Sequence, residues 1–105
     1  SGGMNAYAYN TSKAALHHLT RVLAKDLAKE RININTISPG PFPSKMTNFK
    51  VGDKTFLEYA GDSTPQGRSG TEKDMIATAL FLSSIGSSYI TGALIPLDGG
   101  TTLGT

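Results

Sequence analysis

The sequence predicts an α/β chain of one domain at most, with its elements in the order helix, strand, long irregular segment, helix, strand. Three observations predict this class: an initial stretch with helical periodicity, a switch to a short β-branched run, and a second helical stretch that leads into a final apolar run. A helix followed directly by a buried strand is typical of layered α/β units. With 105 residues, the chain is short for a cofactor-binding enzyme.

The first helix is predicted from about Ala6 to Lys29. Apolar residues recur there at spacings of three and four, and neither Gly nor Pro interrupts the stretch. The recurring residues are Ala15, Leu16, Leu19, Val22, Leu23 and Leu27. They cover more than a narrow stripe, so this helix is expected to contact other protein on more than one side.

The first strand is predicted over the β-branched run from Ile32 to Ser38. Pro39 and Gly40 follow it, and a proline stops a central strand because it has no N–H to donate.

The segment from 41 to 70 is the least regular part of the chain, and short helical turns are expected around Lys50 to Tyr59. A long loop that follows the carboxyl end of a strand is well placed to cover a ligand. We therefore interpret residues 41–70 as a substrate lid. The alternative is a disordered insertion, against which the aromatic residues Phe49, Phe56 and Tyr59 argue.

The second helix is signalled by Thr71, a capping residue type, with the acid Asp74 three positions later. It is expected to end between Ser83 and Gly86. The final strand is predicted over residues 93–97 and closes on the turn 98–100, and Pro96 implies an edge or a strand end.

Composition limits the classes of function. The net charge of +2 comes from scattered basic and acidic residues, which argues against a nucleic-acid partner. The chain has no cysteine, which rules out disulfides and thiolate metal sites and suits a cytoplasmic protein. His17 and His18 are adjacent and point in different directions on a helix, so no metal site is expected. No apolar stretch approaches the ~20 residues that span a bilayer, so no membrane partner is expected.

Tyr9 and Lys13 are candidate catalytic residues because residues four apart lie on one face of a helix. A tyrosine has an ordinary pKa of ~10, and a nearby ammonium favours its phenolate and makes proton transfer feasible. Tyr and Lys at this spacing also occur on ordinary solvated helices, so the pair depends on its context.

That context resembles the short-chain dehydrogenase/reductase family. Three motifs occur in the family's order: Tyr9 to Lys13 followed by two alanines, the strand that closes on residues 35–40, and residues 89–92 leading to the turn 98–100. The resemblance implies that residues 1–105 are the C-terminal part of one NAD(P)-binding, doubly wound Rossmann-like domain with a parallel sheet. Family members are commonly more than twice as long, so we expect the N-terminal half to be missing from this chain.

The resemblance also implies roles for individual residues. Tyr9 would be the general acid or base, and Lys13 would favour the phenolate and bind the nicotinamide ribose. Pro39 and Gly40 would bring backbone close to the nicotinamide, and the Phe42 backbone would hold the carboxamide. Ser44 stands where the family usually has Thr, which keeps a hydroxyl. Catalytic and cofactor-binding candidates together are Tyr9, Lys13, Pro39, Gly40, Phe42 and Ser44.

The chain departs from the family pattern at Asn33, where relatives often have Arg. The catalytic Ser, the relay Asn and the glycine-rich loop of the family would all lie before residue 1. We therefore expect the 105 residues alone to bind the cofactor weakly or not at all, and to aggregate or associate.

As an intact protein, the resemblance implies an oxidoreductase that uses NAD or NADP, with NADP slightly ahead, on a small carbonyl or secondary-alcohol substrate. A sugar alcohol, a 3-oxoacyl group or a xenobiotic ketone would fit the mixed lid. A homo-oligomer, dimer or tetramer, is expected, although the extra apolar residues could instead contact the missing half. The alternative function is an inert interaction or oligomerisation module made from the same fold.

Overall fold

The computed structural model describes residues 3–40, 42 and 55–103 of the chain. Helix α1 spans Gly3–Leu27, α2 spans Phe56–Ser63 and α3 spans Glu72–Leu82, and the strands are β1, Thr36–Pro39, and β2, Leu94–Leu97. Short 3₁₀ turns follow α1 at Ala28–Glu30 and α3 at Ile85–Ser87. The predicted order of elements is confirmed, and α2 lies inside segment 41–70, whose role as a lid stays a prediction. Positions 41 and 43–54 of the lid lie outside the described residues.

Helix α1 begins at Gly3 and gives way to the 3₁₀ turn after Leu27, so both of its ends lie slightly earlier than predicted. Arg31 ends the turn in the left-handed region, at φ 61°, and its N–H bonds the Ala28 carbonyl 3.0 Å away. A left-handed residue at this position ends the helix, and the chain then continues towards β1.

The two strands are parallel, with Thr36 opposite Leu94 and Pro39 opposite Leu97. The prediction that Pro39 stops the strand is wrong by one residue. Thr36 and Gly40 donate their N–H groups to carbonyls of the β2 side, at 2.9 Å each. Donors alternate along a strand, so the odd position of Pro39 faces away from β2 and its missing N–H removes no bond there.

The start of β1 was also predicted wrongly, because regular pairing begins at Thr36 rather than Ile32. Before that point one backbone bond, from the Gly92 N–H to the Ile34 carbonyl at 2.7 Å, is supplemented by side-chain bonds. The Ile34 N–H bonds the Thr91 hydroxyl at 3.1 Å, and Asn35 bonds the backbone on both sides of Thr91. Residues 32–35 are therefore held against the approach to β2 without forming a strand.

The predicted start of α3 is confirmed in detail. The Thr71 hydroxyl accepts the Asp74 N–H at 3.3 Å, and the Asp74 carboxylate accepts the Thr71 N–H at 2.8 Å. This reciprocal pair is a capping box, which satisfies two N–H groups that a helix start would otherwise leave unbonded.

The buried side chains in the described part of the chain are small, and large apolar side chains lie at the surface. The buried residues are Thr20, Ala24, Ala60, Thr64, Ser69 and Ser87. By contrast, Leu19 on α1 is 51% exposed and Leu80 on α3 is 65% exposed. These two helices therefore carry apolar surface that the described residues do not cover. None of the helices in that part of the chain is both long enough and apolar enough to cross a membrane.

Candidate active site

A groove of about 240 Å³ runs between α1 and β1 and contains Lys13 and Pro39. We call it the α1/β1 groove. Its lining residues are Ser12, Lys13, Leu16, His17, Thr36, Ile37, Ser38, Pro39 and Leu94. Lys13 is half-buried there. The structure thus brings two of the predicted site residues together, although 26 positions separate them in the sequence.

Helical spacing explains how Lys13 reaches the groove. Lys13, His17, Thr20 and Ala24 follow one another at intervals of four, three and four residues, so they share one face of α1. Thr20 hydrogen-bonds the Thr36 hydroxyl on β1. The carbon side chain of Ala24 lies opposite Gly92, where an added Cβ would be 3.4 Å away. The Lys13 face of the helix is therefore the face that packs on the sheet.

Tyr9 lies within α1, one turn before Lys13, and its side chain is outside the described residues. Ser44 is outside them altogether. The roles expected for the Tyr9 and Ser44 side chains therefore remain predictions.

Gly40 follows Pro39 and packs against Asp98, the residue after β2. An added Cβ at residue 40 would be 2.6 Å from the Asp98 Cβ and 2.8 Å from its Cα. Real side chains do not approach backbone this closely, so only glycine fits. The structure thus shows that the Gly40 backbone closely approaches Asp98. The expected approach of this backbone to a nicotinamide stays a prediction.

Phe42 lines a second pocket, of about 170 Å³, rather than the α1/β1 groove. Its ring lies on Gly70, where an added Cβ would clash with the ring carbons. The pocket is lined by Phe42, Gln66, Arg68, Gly70, Asp74, Leu97, Asp98 and Gly99. Phe42 therefore connects the end of β1 to the end of the lid.

An ion pair in this second pocket was not foreseen from the sequence. Arg68 holds Asp74 through two nitrogens, at 2.8 and 3.2 Å. The hydrogen bond from Arg68 is the largest cause of a pKa of Asp74 far below its ordinary value, and the hydrogen bonds from Thr71 lower it further. The same bond raises the pKa of Arg68. An arginine six residues before a capping acid was the available signal, but spacing alone does not show that the intervening loop folds back.

The turn after β2 anchors the end of the lid. The Gln66 N–H bonds the Gly99 carbonyl at 3.0 Å, and Pro65 lies 3.1 Å from the place where a Cβ of Gly100 would be. Both glycines have positive φ, 62° and 94°, which favours glycine over any other residue. The turn was predicted from the sequence, and its contact with the lid was not.

The Asp98 carboxylate stabilises that turn. It accepts the Thr102 hydroxyl at 2.9 Å and the N–H groups of Gly100 and Thr102 at 3.0 and 3.2 Å. The Thr102 hydroxyl bond is the main reason why the pKa of Asp98 lies below its ordinary value, and the Gly100 N–H adds to it.

Asn33, the departure from the family pattern, bonds the Ser88 carbonyl at 3.1 Å through its side-chain nitrogen. The short Asn33 amide thus links the segment before β1 to the loop after α3.

No group of three or more His, Asp or Glu side chains within 3–40, 42 and 55–103 could hold a metal ion.

A comparison with protein-family models finds a match over residues 1–102 to the model described as enoyl-(acyl carrier protein) reductase. Among curated proteins, the rhamnolipids biosynthesis 3-oxoacyl-[acyl-carrier-protein] reductase of Pseudomonas aeruginosa is 50% identical over 98 residues. The L-tagatose-forming galactitol 2-dehydrogenase of Cereibacter sphaeroides is 41% identical over 99 residues. Each match covers 93% of this chain, and the chain spans only 38% and 39% of these two relatives.

Solved structures of similar proteins match the chain as well. A Pseudomonas aeruginosa RhlG/NADP active-site complex is 50% identical and superposes with a TM-score of 0.83, over 96% of this chain and 41% of that one. A short-chain dehydrogenase from Leptospira borgpetersenii with bound NAD⁺ is 35% identical with a TM-score of 0.75, over 90% of this chain and 35% of that one. The fold described above thus matches a part of each of these two α/β proteins.

Proposed function

Because the chain belongs to the short-chain dehydrogenase/reductase family, we propose that the protein carrying it is an NAD(P)-dependent oxidoreductase. Its reaction would transfer a hydride between a nicotinamide cofactor and a carbonyl or secondary-alcohol substrate. The observation that carries the proposal is the position of Lys13 beside Pro39 in the α1/β1 groove, one helical turn after Tyr9.

The residues of the groove fit a nicotinamide nucleotide. Lys13 supplies an ammonium donor, Ser12 and Ser38 supply hydroxyls, and Leu16 and Ile37 supply apolar surface. A flat, uncharged or singly charged ring attached to a sugar needs this mixture of donors and apolar wall. When bound, the cofactor would supply the hydride donor or acceptor. Lys13, Pro39 and Gly40 would hold it, together with the backbone of Phe42 and the hydroxyl of Ser44.

In the proposed chemistry, Tyr9 transfers a proton and Lys13 stabilises the phenolate form of Tyr9. The Tyr9 hydroxyl would protonate the oxygen of a carbonyl being reduced, or accept the proton of an alcohol being oxidised. The Lys13 ammonium, four residues later on the same helix, would favour the phenolate of Tyr9 by its charge. It would also orient the cofactor, so one cation would serve both binding and proton transfer.

For the substrate, we propose a medium-sized carbonyl compound or alcohol enclosed by the lid. The curated relatives support two classes, since one is named for a 3-oxoacyl group and another for galactitol. For the cofactor, both NADP and NAD⁺ occur in similar structures, and the 50% identical NADP complex supports NADP.

Self-association is a second proposal, because α1 and α3 have apolar residues at the surface. These residues are Leu16, Leu19, Val22 and Leu23 on α1, and Ile76, Leu80 and Phe81 on α3. Exposed apolar patches of this kind mark protein contacts. The same observation favours the alternative function, an inert interaction or oligomerisation module, if the chain acts without further sequence.

The decisive experiment compares two tyrosine variants of the full protein that carries this chain. Tyr9→Phe should lower kcat by about 100-fold or more, because it removes the proton donor, while NADP⁺ binding by calorimetry is retained. Tyr7→Phe is the matched control: it makes the same change two residues earlier on α1, at a side chain that is 73% exposed, and should leave kcat unchanged. If Tyr9→Phe keeps normal turnover, the proposed role of Tyr9 is wrong.

Lys13→Met tests the second half of the couple. It should weaken NADP⁺ binding and lower kcat together, because the ammonium is proposed to serve both. Lys25→Met, which removes a lysine near the end of the same helix, should change neither quantity. Equal NADP⁺ affinity in Lys13→Met and the wild type would contradict the assignment of the α1/β1 groove.

A further inference from the structure

Helix α1 packs on the sheet through two buried side chains, Thr20 and Ala24, which are 5% and 3% exposed. Ala24 makes only van der Waals contact, opposite Gly92. Thr20 makes directional bonds. Its hydroxyl donates to the Leu16 carbonyl at 2.8 Å and also contacts the Thr36 hydroxyl. A hydroxyl has one proton, so Thr36 is the donor in the bond between the two threonines.

The bond between Thr20 and Thr36 lies about equally far from Lys13 and from Pro39, as the two spacings in the sequence show. Lys13 is seven residues before Thr20, which is roughly 10 Å along a helix axis. Pro39 is three residues after Thr36, which is roughly 10 Å along a strand. Because Lys13 and Pro39 line one groove, both offsets run in the same direction from the Thr20 and Thr36 hydroxyls. A shift of α1 along β1 would therefore separate Lys13 from Pro39 by the same amount.

We propose that the hydrogen bond from Thr36 to Thr20 is a positioning contact that sets how far α1 extends along β1, and so places Lys13 opposite Pro39, with Tyr9 one helical turn further along α1. The inference rests on the proposed function. The contact of the Ala24 methyl group with Gly92 has no preferred direction, whereas a hydrogen bond weakens steeply when its atoms move. Proton transfer and cofactor orientation are sensitive to displacements of about 1 Å.

The test measures steady-state kinetics of the full protein with Thr36→Val and Thr20→Val, which remove the bond from either side. Each should lower kcat about tenfold, with the kcat calculated per cofactor-binding site, and should change the substrate KM less than twofold. Thr36→Ser keeps the hydroxyl and should restore kcat to within twofold of the wild type. The double variant should be no slower than either single variant, because both remove one contact.

Thr78→Val is the matched control. The Thr78 hydroxyl bonds the carbonyl four residues earlier on α3, at 2.9 Å, as the Thr20 hydroxyl does on α1. It should leave kcat unchanged, so a loss seen only with the other two variants comes from the bond between helix and strand. Should Thr20→Val not fold, the comparison of Thr36→Val with Thr36→Ser decides alone, since Thr36 is only half-buried.

Two results separate this inference from the proposed function. An unchanged kcat in Thr36→Val, together with an inactive Tyr9→Phe, would overturn the positioning role and leave the proposed function standing. Normal turnover in Tyr9→Phe would remove the proposed function itself. A lower melting temperature of Thr36→Val with an unchanged kcat would show that the bond only stabilises the fold, which also overturns the inference.

Discussion

The Cα of Gly40 and the side chain of Asp98 are in close contact, so that a Cβ added at residue 40 would lie 2.6 Å from the Asp98 Cβ. The contact joins the end of β1 to the turn after β2. Asp98 in turn accepts N–H groups from its own turn, and that turn bonds the end of the lid through Gly99. One close approach thus connects the strand that carries Pro39 to the segment proposed to cover the substrate.

We expect Gly40→Ala to destabilise the full protein by about 1–3 kcal/mol, the usual cost of inserting an extra methyl into a packed site. The clash is with backbone and Cβ atoms, which cannot rotate away. Thermal unfolding measures the loss. Gly61→Ala is the control, because its added Cβ would meet only the Gly67 carbonyl oxygen at 3.4 Å and alanine suits helix α2. Equal stability of both variants would contradict the contact.

Asn35→Ala should cost about 2 kcal/mol of stability, since two hydrogen bonds of about 1 kcal/mol each are lost. The Asn35 amide donates to the Ile90 carbonyl at 3.1 Å and accepts the Ala93 N–H at 3.0 Å. Asn33→Ala removes a single exposed bond, to Ser88, and should cost clearly less. Chemical denaturation of both variants checks the order, and a larger loss with Asn33→Ala would refute it.

Asp74→Asn should destabilise the protein in a pH-dependent way. The pKa of Asp74 is lowered in the folded state by Arg68 and Thr71. A carboxylate whose pKa is lowered by folding stabilises the protein at pH values above its unfolded-state pKa of ~3.9. This stabilisation is lost as the pH falls through its folded-state pKa. The difference in melting temperature between the wild type and Asp74→Asn should therefore be full near pH 6 and shrink below about pH 4.

Glu72→Gln is the control for this pH dependence, because it removes the same charge from the first turn of the same helix. It should show a smaller effect at pH 6, since Arg68 pairs with Asp74. A difference for Asp74→Asn that grows at acid pH would have the wrong sign and would exclude the proposed linkage.

The 105-residue chain by itself should self-associate at micromolar concentration, because leucines at the surface of α1 and α3 have no cover within the described residues. Sedimentation velocity measures the association, and fluorescence titration with NADPH should show weak binding or none. Leu19→Glu should reduce association more than Leu57→Glu, which changes an exposed leucine of the short helix α2. A stable monomer that binds NADPH tightly would contradict both expectations.

Local signals were sufficient for much of the fold. The Thr71 and Asp74 spacing predicted a capping box that the structure contains, because helix capping involves residues only three apart. The helical period predicted α1 to within a few residues, and the positions of Tyr9 and Lys13 on one helix followed from it. The motif around Pro39 and Gly40 predicted the end of β1 to within one residue, and together with the motifs at Tyr9 to Lys13 and at residues 89–100 it indicated the family.

Contacts between distant segments could not be predicted in the same way. β1 begins late because Asn35 bonds Ile90 and Ala93, residues more than 50 positions away. Nothing near Asn35 in the sequence indicates that its amide would take up two backbone groups of the segment before β2. The same holds for Arg68 and its fold back onto the cap of α3.

By itself the sequence determined the order of elements, the helix on which Tyr9 and Lys13 lie, and the family, since each depends on short local patterns and on their order along the chain. Only the tertiary structure decided that Lys13 shares a groove with Pro39, that Thr36 bonds Thr20, and that Gly40 has no room for a side chain beside Asp98. The physical reason is that a periodic pattern specifies which face of an element is buried, whereas register and distance between two elements depend on how their surfaces fit in three dimensions.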